Sequence, residues 1–467
     1  MMNKLKNRRD AQQALSSVLL KKKASMTHIL FLTPYYPPEK GAAAVRISET
    51  AERLVKRGHQ VTVLTTLPNY PTGIVPEEYR GHVLQEEELE GVRVVRFWSY
   101  VSPNKGFLRR VLAHFSFGCL APLLGWKAIG HPDVIIVESH PLFNAIAGRV
   151  LASGKHCPFI FMVSDLWPAS AIELGVLRNS VLIWLAQWLE QSTYKRAGLI
   201  WALSQGIRDG IIQCGIPQER VFLLTNGADL RKFCPLPQMQ ARAELGWDDR
   251  FTVLYAGTFG LSHRLTTVLE AARQMQDRAD IHFILVGDGT ERADLIAKAQ
   301  RWNLKNVTFF EAQPHDRMPL VLAGADVCLV PMRNLPLFEG RLPLKIFEVM
   351  ACARPMLLGV EGEARRLAEQ DAHAAMYVEP ENVEALVEGI LYLHEHQEEA
   401  KLLGLNGRAY VEAHYDRDQL TAELDGYIER LLSKQLPGSL SAAHHPETLP
   451  TMPTPDTVVR KHEAVLE

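Results

Sequence analysis

Twice along this chain a short apolar run passes into a glycine-closed loop, then a segment with helical spacing, then a second apolar run. That alternation restricts the fold more than any other feature. In the first unit residues 29–32 are apolar, a Pro-rich loop ends at Gly41, and Val45, Ile47, Ala51, Leu54 and Val55 recur near helical spacing over 42–56. Gly58 stops the helix and 61–64 is apolar again. Strands joined through a helix lie parallel, so this unit implies a parallel sheet with helices on its faces. Buried-type runs at 92–97, 134–137, 159–163 and 199–202 extend it.

After 235–240 the alternation restarts, with strand 251–256, helix 265–275 and strand 281–286, then strands at 307–310, 327–330 and 356–358. The expected fold class is α/β, with two Rossmann-like doubly wound domains facing a central cleft. In such sheets ligands bind beyond the carboxyl ends of the strands. The expected organisation is a basic leader over 1–25, an N-terminal domain over 26–235, a C-terminal domain over 241–415, a terminal helix over 416–434 packing back toward the first domain, and a tail over 435–467. The leader, which is no secretory signal, and the Pro/Ser/Thr/His-rich tail are expected to be disordered.

The 467 residues are 47% hydrophobic and 22% charged, with 51 Lys and Arg against 53 Asp and Glu. This excludes a wholly disordered chain, a collagen and a nucleic-acid-coating surface. The balance is a cancellation: residues 1–235 carry 28 basic and 18 acidic side chains, and the remainder 23 and 35. The leader alone holds seven of those cations against Asp10, so about +4 stays with the first folded domain. The six cysteines are far apart with no zinc-ligand spacing, as in a reduced cytosolic protein.

Residues 111–126 form an apolar run interrupted by His114, Ser116 and Pro122 and flanked by Arg109, Arg110 and Lys127. As a helix it is about 24 Å long, too short for a hydrocarbon core of roughly 30 Å. It reads as a buried helix or as a surface helix whose basic flanks meet an anionic membrane. Trp184 and Trp188 within 181–189 could extend such a surface, although tryptophans spaced i, i+4 are more often core.

The residues suited to chemistry follow strand ends. Gly41 opens a helix through three alanines, so backbone N–H groups can approach an anion. Gly257, Thr258 and Gly260 follow the strand ending at Ala256, and Gly287 and Gly289 follow Val286; Arg292 stands where a dinucleotide fingerprint needs its third glycine, which argues against NAD. Glu339, Gly340, Arg341, Lys345 and Glu348 occupy a Gly/Pro loop and the opening of a helix. A cation there opposes the helix dipole, so Lys345 points to an external anion such as a diphosphate, with Glu348 placed to accept from a ribose; a surface salt bridge is the alternative. Asp165 and His140 each follow a first-domain strand and would face the cleft, although a lone histidine there is more often structural. Asp416 and Asp418, the only D-x-D, open a terminal helix and read as capping residues rather than a metal site. His394 and His396 match no zincin spacing and read as solvated surface.

In order, Pro37-Pro38-Glu39-Lys40-Gly41, Pro68-Asn69-Tyr70-Pro71-Thr72-Gly73, Ser102-Pro103-Asn104-Lys105-Gly106, Asp165-Leu166-Trp167-Pro168, Tyr255-Ala256-Gly257-Thr258 and Val286-Gly287-Asp288-Gly289 resemble the family 4 glycosyltransferases, and within them the WbuB-like subgroup of surface polysaccharide assembly. The resemblance implies a GT-B fold, a nucleotide-sugar donor on the second domain, a glycan or polyprenyl-linked acceptor on the first, no cofactor, and metal-independent transfer with retention. It favours UDP over GDP and a cytoplasmic protein, peripheral on the inner face of the plasma membrane. Glu348 matches the second glutamate of the family's E-x7-E pattern. The first falls at Gly340, leaving Glu339 as the sugar-side candidate, and His140 is an offset match to a family histidine. The family's usual diphosphate-binding Arg and Lys fall at Thr258 and His263, which leaves Lys345, Arg341 or Arg264 to neutralise the phosphates. A nucleotide-sugar epimerase of the same fold and a non-catalytic nucleotide-binding scaffold are the alternatives.

Overall fold

The computed structural model describes residues 26–433 except 71, 102–106, 174 and 176; the leader, the tail and the 102–106 motif lie outside them. The first sheet comprises β1 (His28–Leu32), β2 (Gln60–Thr66), β3 (Leu84–Leu89), β4 (Val92–Phe97), β5 (Val134–Glu138), β6 (Phe159–Val163), β7 (Leu199–Ala202) and β8 (Val221–Leu223), in the order β3-β4-β2-β1-β5-β6-β7-β8. Only β3 runs antiparallel to its neighbour. Its helices include α1 (Ala42–Lys56), α2 (Phe107–Gly125), α3 (Asn144–Lys155), α4 (Ser180–Arg196) and α5 (Gln205–Gln213). Strands such as Val134-Ile135-Ile136-Val137 are buried on both faces, which is why they read as continuous apolar runs.

The second sheet is wholly parallel, in the order β11-β10-β9-β12-β13-β14. It comprises β9 (Phe251–Ala256), β10 (Ile281–Val286), β11 (Val307–Phe310), β12 (Val327–Pro331), β13 (Met356–Gly359) and β14 (Ala375–Tyr377). Helix α6 (Thr266–Gln274) follows β9 and α7 (Arg292–Arg301) follows β10, while α8 (Leu344–Ala351) precedes β13. This is the expected α/β architecture of two Rossmann-like sheets.

Two strands escape the apolar pattern. β3 reads Leu-Gln-Glu-Glu-Glu-Leu and β8 has three residues. β3 is an edge strand, where charge is tolerated and discourages further pairing. Its carboxylates meet the neighbouring strand, Glu86 with Arg93 at 2.7 Å and Glu87 with Arg96 at 2.6 Å.

The last helix, α9 (Arg417–Leu432), belongs to the first domain's core although its sequence follows the second domain. Leu420, Leu424 and Ile428 join the cluster of Ile29, Val63 and Ile136. Asp416 caps it by accepting from the Asp418 N–H at 2.9 Å, as read from the sequence. Asp418 also meets Arg53 of α1 at 2.6 Å, and Asp425 meets Arg57 and His59 at 2.8 and 2.9 Å. The histidines expected on a solvated surface are more engaged than that: His394 meets Asp280 at 3.0 Å and stacks edge-on to Phe251, and His396 stacks on Tyr392.

Leu424 is fully buried, so Leu424→Ala should destabilise the protein by about 2–4 kcal/mol in urea unfolding. Exposed Leu402→Ala should stay within about 0.5 kcal/mol. Equal effects would refute the docking of α9 on the first domain.

Candidate active site

The carboxyl ends of β9 and β10 lie side by side, and the loops leaving them touch backbone to backbone. Gly287 has φ 154°, and a Cβ there would stand 1.9 Å from the Gly257 carbonyl oxygen. Only glycine permits that approach. The Phe259 N–H donates to the Asp288 carbonyl at 2.8 Å, locking the two loops together. Thr258 is exposed on the first of them, and its carbonyl accepts from the Tyr255 hydroxyl at 2.7 Å.

Lys345, in the first turn of α8, reaches beneath this pair of loops. Its Nζ is 4.2 Å from the Tyr255 ring centroid and 2.7 Å from where a Cβ on Gly257 would be. The ammonium is buried and, among the described residues, has no hydrogen-bond partner. Burial pulls its pKa down to about 8, against the attraction of Glu348. His263 lies nearby, with Nδ1 3.3 Å from the Pro331 carbonyl oxygen. Burial, then the charges of Lys345 and Arg341, push its pKa down to about 3, so it is neutral at physiological pH. Arg264 is exposed beside it.

Glu348, one turn along α8, points elsewhere. Its Oε1 is 3.0 Å from His315 Nε2, and His315 Nδ1 is 3.8 Å from Glu49 of α1. Burial of His315 opposes its charge, but the Glu348 and Glu49 carboxylates prevail and raise its pKa. Lys345 and Glu348 therefore face different neighbours, Glu348 being linked through His315 to Glu49 of the first domain.

Three further contacts cross the cleft. Arg341 Nη2 meets Asp165 Oδ2 at 2.7 Å, and Ser170 Oγ donates to that same oxygen at 3.1 Å. The N–H groups of Gln205 and Gly206, opening α5, donate at 2.8 and 3.0 Å to the two oxygens of Glu363, seating a second-domain carboxylate on a first-domain helix N-terminus. Gly340 packs so closely on Gly206 that a Cβ on the latter would stand 2.8 Å from the Gly340 Cα. Glu339 is exposed, and its carbonyl accepts from the Glu363 N–H at 2.7 Å.

On the first domain Gly41 is the N-cap of α1 in extended conformation, with no side chain capping the helix. His140 is exposed at the carboxyl end of β5, its ring 6.4 Å from that of His114 on α2. The last residue of that strand does more: Glu138 is buried, pairs with Arg46 at 2.8 Å and accepts from Thr33 Oγ1 at 2.8 Å. Its signal was a carboxylate ending an otherwise apolar strand. His315 and Glu363 gave no signal, because each acts through residues remote in sequence. Lys345, Gly257, Gly287 and the Arg341–Asp165 pair thus gather around the cleft, whereas Glu339 and His140 stand exposed at its rim. Among the described residues no cluster of three His, Cys, Asp or Glu side chains could hold a metal ion.

Residues 41–227 match the glycosyl transferase 4-like domain and residues 238–410 match the glycosyl transferases group 1 domain. The chain is 29% identical over 370 residues to a protein named as the colanic acid biosynthesis glycosyl transferase WcaI of Escherichia coli K12, covering 76% of this chain and 89% of that one. Among solved structures, sucrose-phosphate synthase from Thermosynechococcus elongatus superposes with TM-score 0.70 at 18% identity, over 87% of this chain and all of that one. HepE of Anabaena, solved with UDP-glucose, gives 0.65 at 18% identity, over 87% of this chain and all of its own. With both domain models matched in tandem on two facing Rossmann-like sheets, the chain belongs to the GT-B glycosyltransferases that join a glycosyl transferase 4-like domain to a group 1 domain.

Proposed function

We propose that the protein moves a hexose, with retention and without a metal ion, from a nucleoside diphosphate sugar to a hydroxyl of a glycan or polyprenyl-linked sugar in cell-surface polysaccharide synthesis. The observation that carries this reading is Lys345: an ammonium buried without an anion, beneath two glycine loops that keep side chains away. Holding that charge costs on the order of 3 kcal/mol, and a donor diphosphate would supply the missing partner. Leaving-group charge would then develop against a preorganised cation and backbone N–H groups, the arrangement that lowers barriers most effectively. Arg341, shared with Asp165 at the cleft edge, stands ready as a second cation, and Glu348 would receive the ribose once His315 yields to it. UDP rather than GDP fits the UDP-glucose complex of HepE, and the WcaI likeness supports a surface polysaccharide role.

The acceptor side supports a peripheral position on the cytoplasmic face of the membrane. The tryptophans read as core from the sequence are not core: Trp184 is 61% and Trp188 54% exposed on α4, alongside Val181, Leu182 and Leu185. An i, i+4 apolar stripe is the same whether it faces a core or a lipid surface, so spacing alone misplaced them. Helix α2 splits its residues, burying Phe117 and Ala121 while exposing Leu112, Phe115 and Leu123. α3 packs against both helices, and Arg109 near the start of α2 and Lys127 just past its end are exposed. Among the described residues no helix is long and apolar enough to cross a membrane.

Lys345→Ala should lower turnover of the preferred nucleotide sugar by about 10²-fold or more, read as donor consumption across a panel of UDP and GDP sugars; near-normal turnover would defeat the assignment. Because neutral Lys345 must regain a proton to pair with phosphate, UDP affinity should weaken by about tenfold per unit as pH rises above about 8. Calorimetry at pH 7, 8 and 9 checks this, and a flat profile counts against it. Trp184→Ser/Trp188→Ser should weaken binding to phosphatidylglycerol-containing vesicles by about tenfold or more while UDP affinity holds. Unchanged sedimentation with vesicles would remove α4 from the membrane surface.

A further inference from the structure

Outside the nucleotide cradle, the first domain buries a carboxylate that the chemistry above does not employ. Glu39 lies in the loop between β1 and α1 and is 7% exposed. Its Oε1 accepts from the Asn69 N–H at 2.9 Å and the Tyr70 N–H at 3.0 Å, while its Oε2 is buried with no hydrogen-bond partner. Asn69 and Tyr70 follow the carboxyl end of β2, so the bonds tie together the loops leaving two adjacent strands. The Tyr70 ring stands edge-on to Tyr35 with centroids 5.5 Å apart, and its Cε1 is 3.7 Å from where a Cβ on Gly41 would be. Tyr70 is 40% exposed, and the charge of Asp288, in the second domain's glycine loop, reaches it. One aromatic ring thus stands beside the N-terminus of α1 and within the field of the donor-side loop.

We propose that Glu39 is a positioning residue: its carboxyl group fixes the Asn69–Tyr70 backbone so that Tyr35 and Tyr70 form an aromatic wall on the acceptor side of the cleft, and its ionisation loosens that wall. Paired rings of this kind present an apolar surface with a polar tip, suited to the C–H face of a sugar. The purpose of the wall rests on the glycosyl-transfer reading, whereas the latch itself does not.

The direction of the pH effect follows from linkage. Burial pushes Glu39 up to about 7, with the Asn69 and Tyr70 N–H bonds and the charge of Arg96 on β4 pulling the other way. The other titratable groups near it are Tyr35 and Tyr36 on its own loop and Tyr70 on the latched one. Exposed to water by loop opening, it returns toward 4.5. The closed loop therefore binds the proton more tightly, and closure weakens as pH rises from 4.5 through 7.

Hydrogen exchange read by mass spectrometry on peptides covering Asn69 and Tyr70, corrected for intrinsic rates, tests this on the full chain. Wild-type protection should fall about tenfold between about pH 5.5 and 7.5. Glu39→Gln, always neutral and still an acceptor, should stay flat at the acidic level, and β1 amides should be unchanged in both. A flat wild-type profile, or a Gln variant that follows the wild-type slope, overturns the proposal. Glu39→Ala should lose protection at every pH; if it does not fold, the Gln comparison decides alone. UDP affinity of Glu39→Gln by calorimetry should stay within twofold of wild type. A larger drop would move Glu39 into the donor cradle and overturn its acceptor-side assignment, whereas failure of the wild type to bind UDP would sink the glycosyl-transfer reading and leave the exchange result standing.

Discussion

The architecture of the second domain converges on one ammonium group without an anion. Lys345 is held where it is because α8 is anchored on its other faces by Ile346, Phe347, Val349 and Met350, all in the second domain's core. These buried side chains fix the rotation of the helix, and the Nζ atom lies buried beneath the loops. Above it, Gly257 and Gly287 approach too closely for any side chain to intervene. The cation–π contact with Tyr255 offsets part of the desolvation, but a neutral ring cannot replace a counter-ion. It is this charge that the proposed donor diphosphate would pair with.

The two domains are joined by interactions of contrasting strength. α9 adds Leu420, Leu424 and Ile428 to the first domain's core, a contribution of several kcal/mol by area burial. The cleft itself is bridged by the partly exposed Arg341–Asp165 pair and by Glu363 on the N-terminus of α5. The Arg341 and Asp165 side chains are 31% and 20% exposed, so water screens that pair only in part. Gly340 packs on Gly206 beside these contacts, so the two domains meet through backbone as well as side chains at the cleft. His315, between Glu348 and Glu49, is a more buried link, its partners' carboxylates being 12% and 4% exposed.

Much of this was legible in the sequence, and the reasons are physical. Parallel strands buried on both faces leave apolar runs that composition alone reveals, and glycines at strand ends mark where backbones must meet. The cation at the start of α8 opposes the helix dipole, an unusual charge in the sequence, and the structure places its ammonium beneath the two glycine loops. What stayed hidden depends on distant partners: Glu363 on α5, His315 on Glu348, and Glu39 beneath Tyr70 are meetings of segments far apart in the chain. The tryptophans of α4 mark another limit, since an apolar stripe tells that a face avoids water but not what covers it. β3 shows the converse, a strand whose acidic residues disguise it because an edge tolerates them.

The most direct test of the account is the titration of Lys345 itself, followed by NMR of the protein carrying lysine labelled at Cε, with and without UDP. The account predicts an apparent pKa of about 8 in the free protein, moving to the ordinary lysine value of about 10.4 or above when UDP binds. An ordinary value in the free protein, or one that UDP does not move, would contradict it.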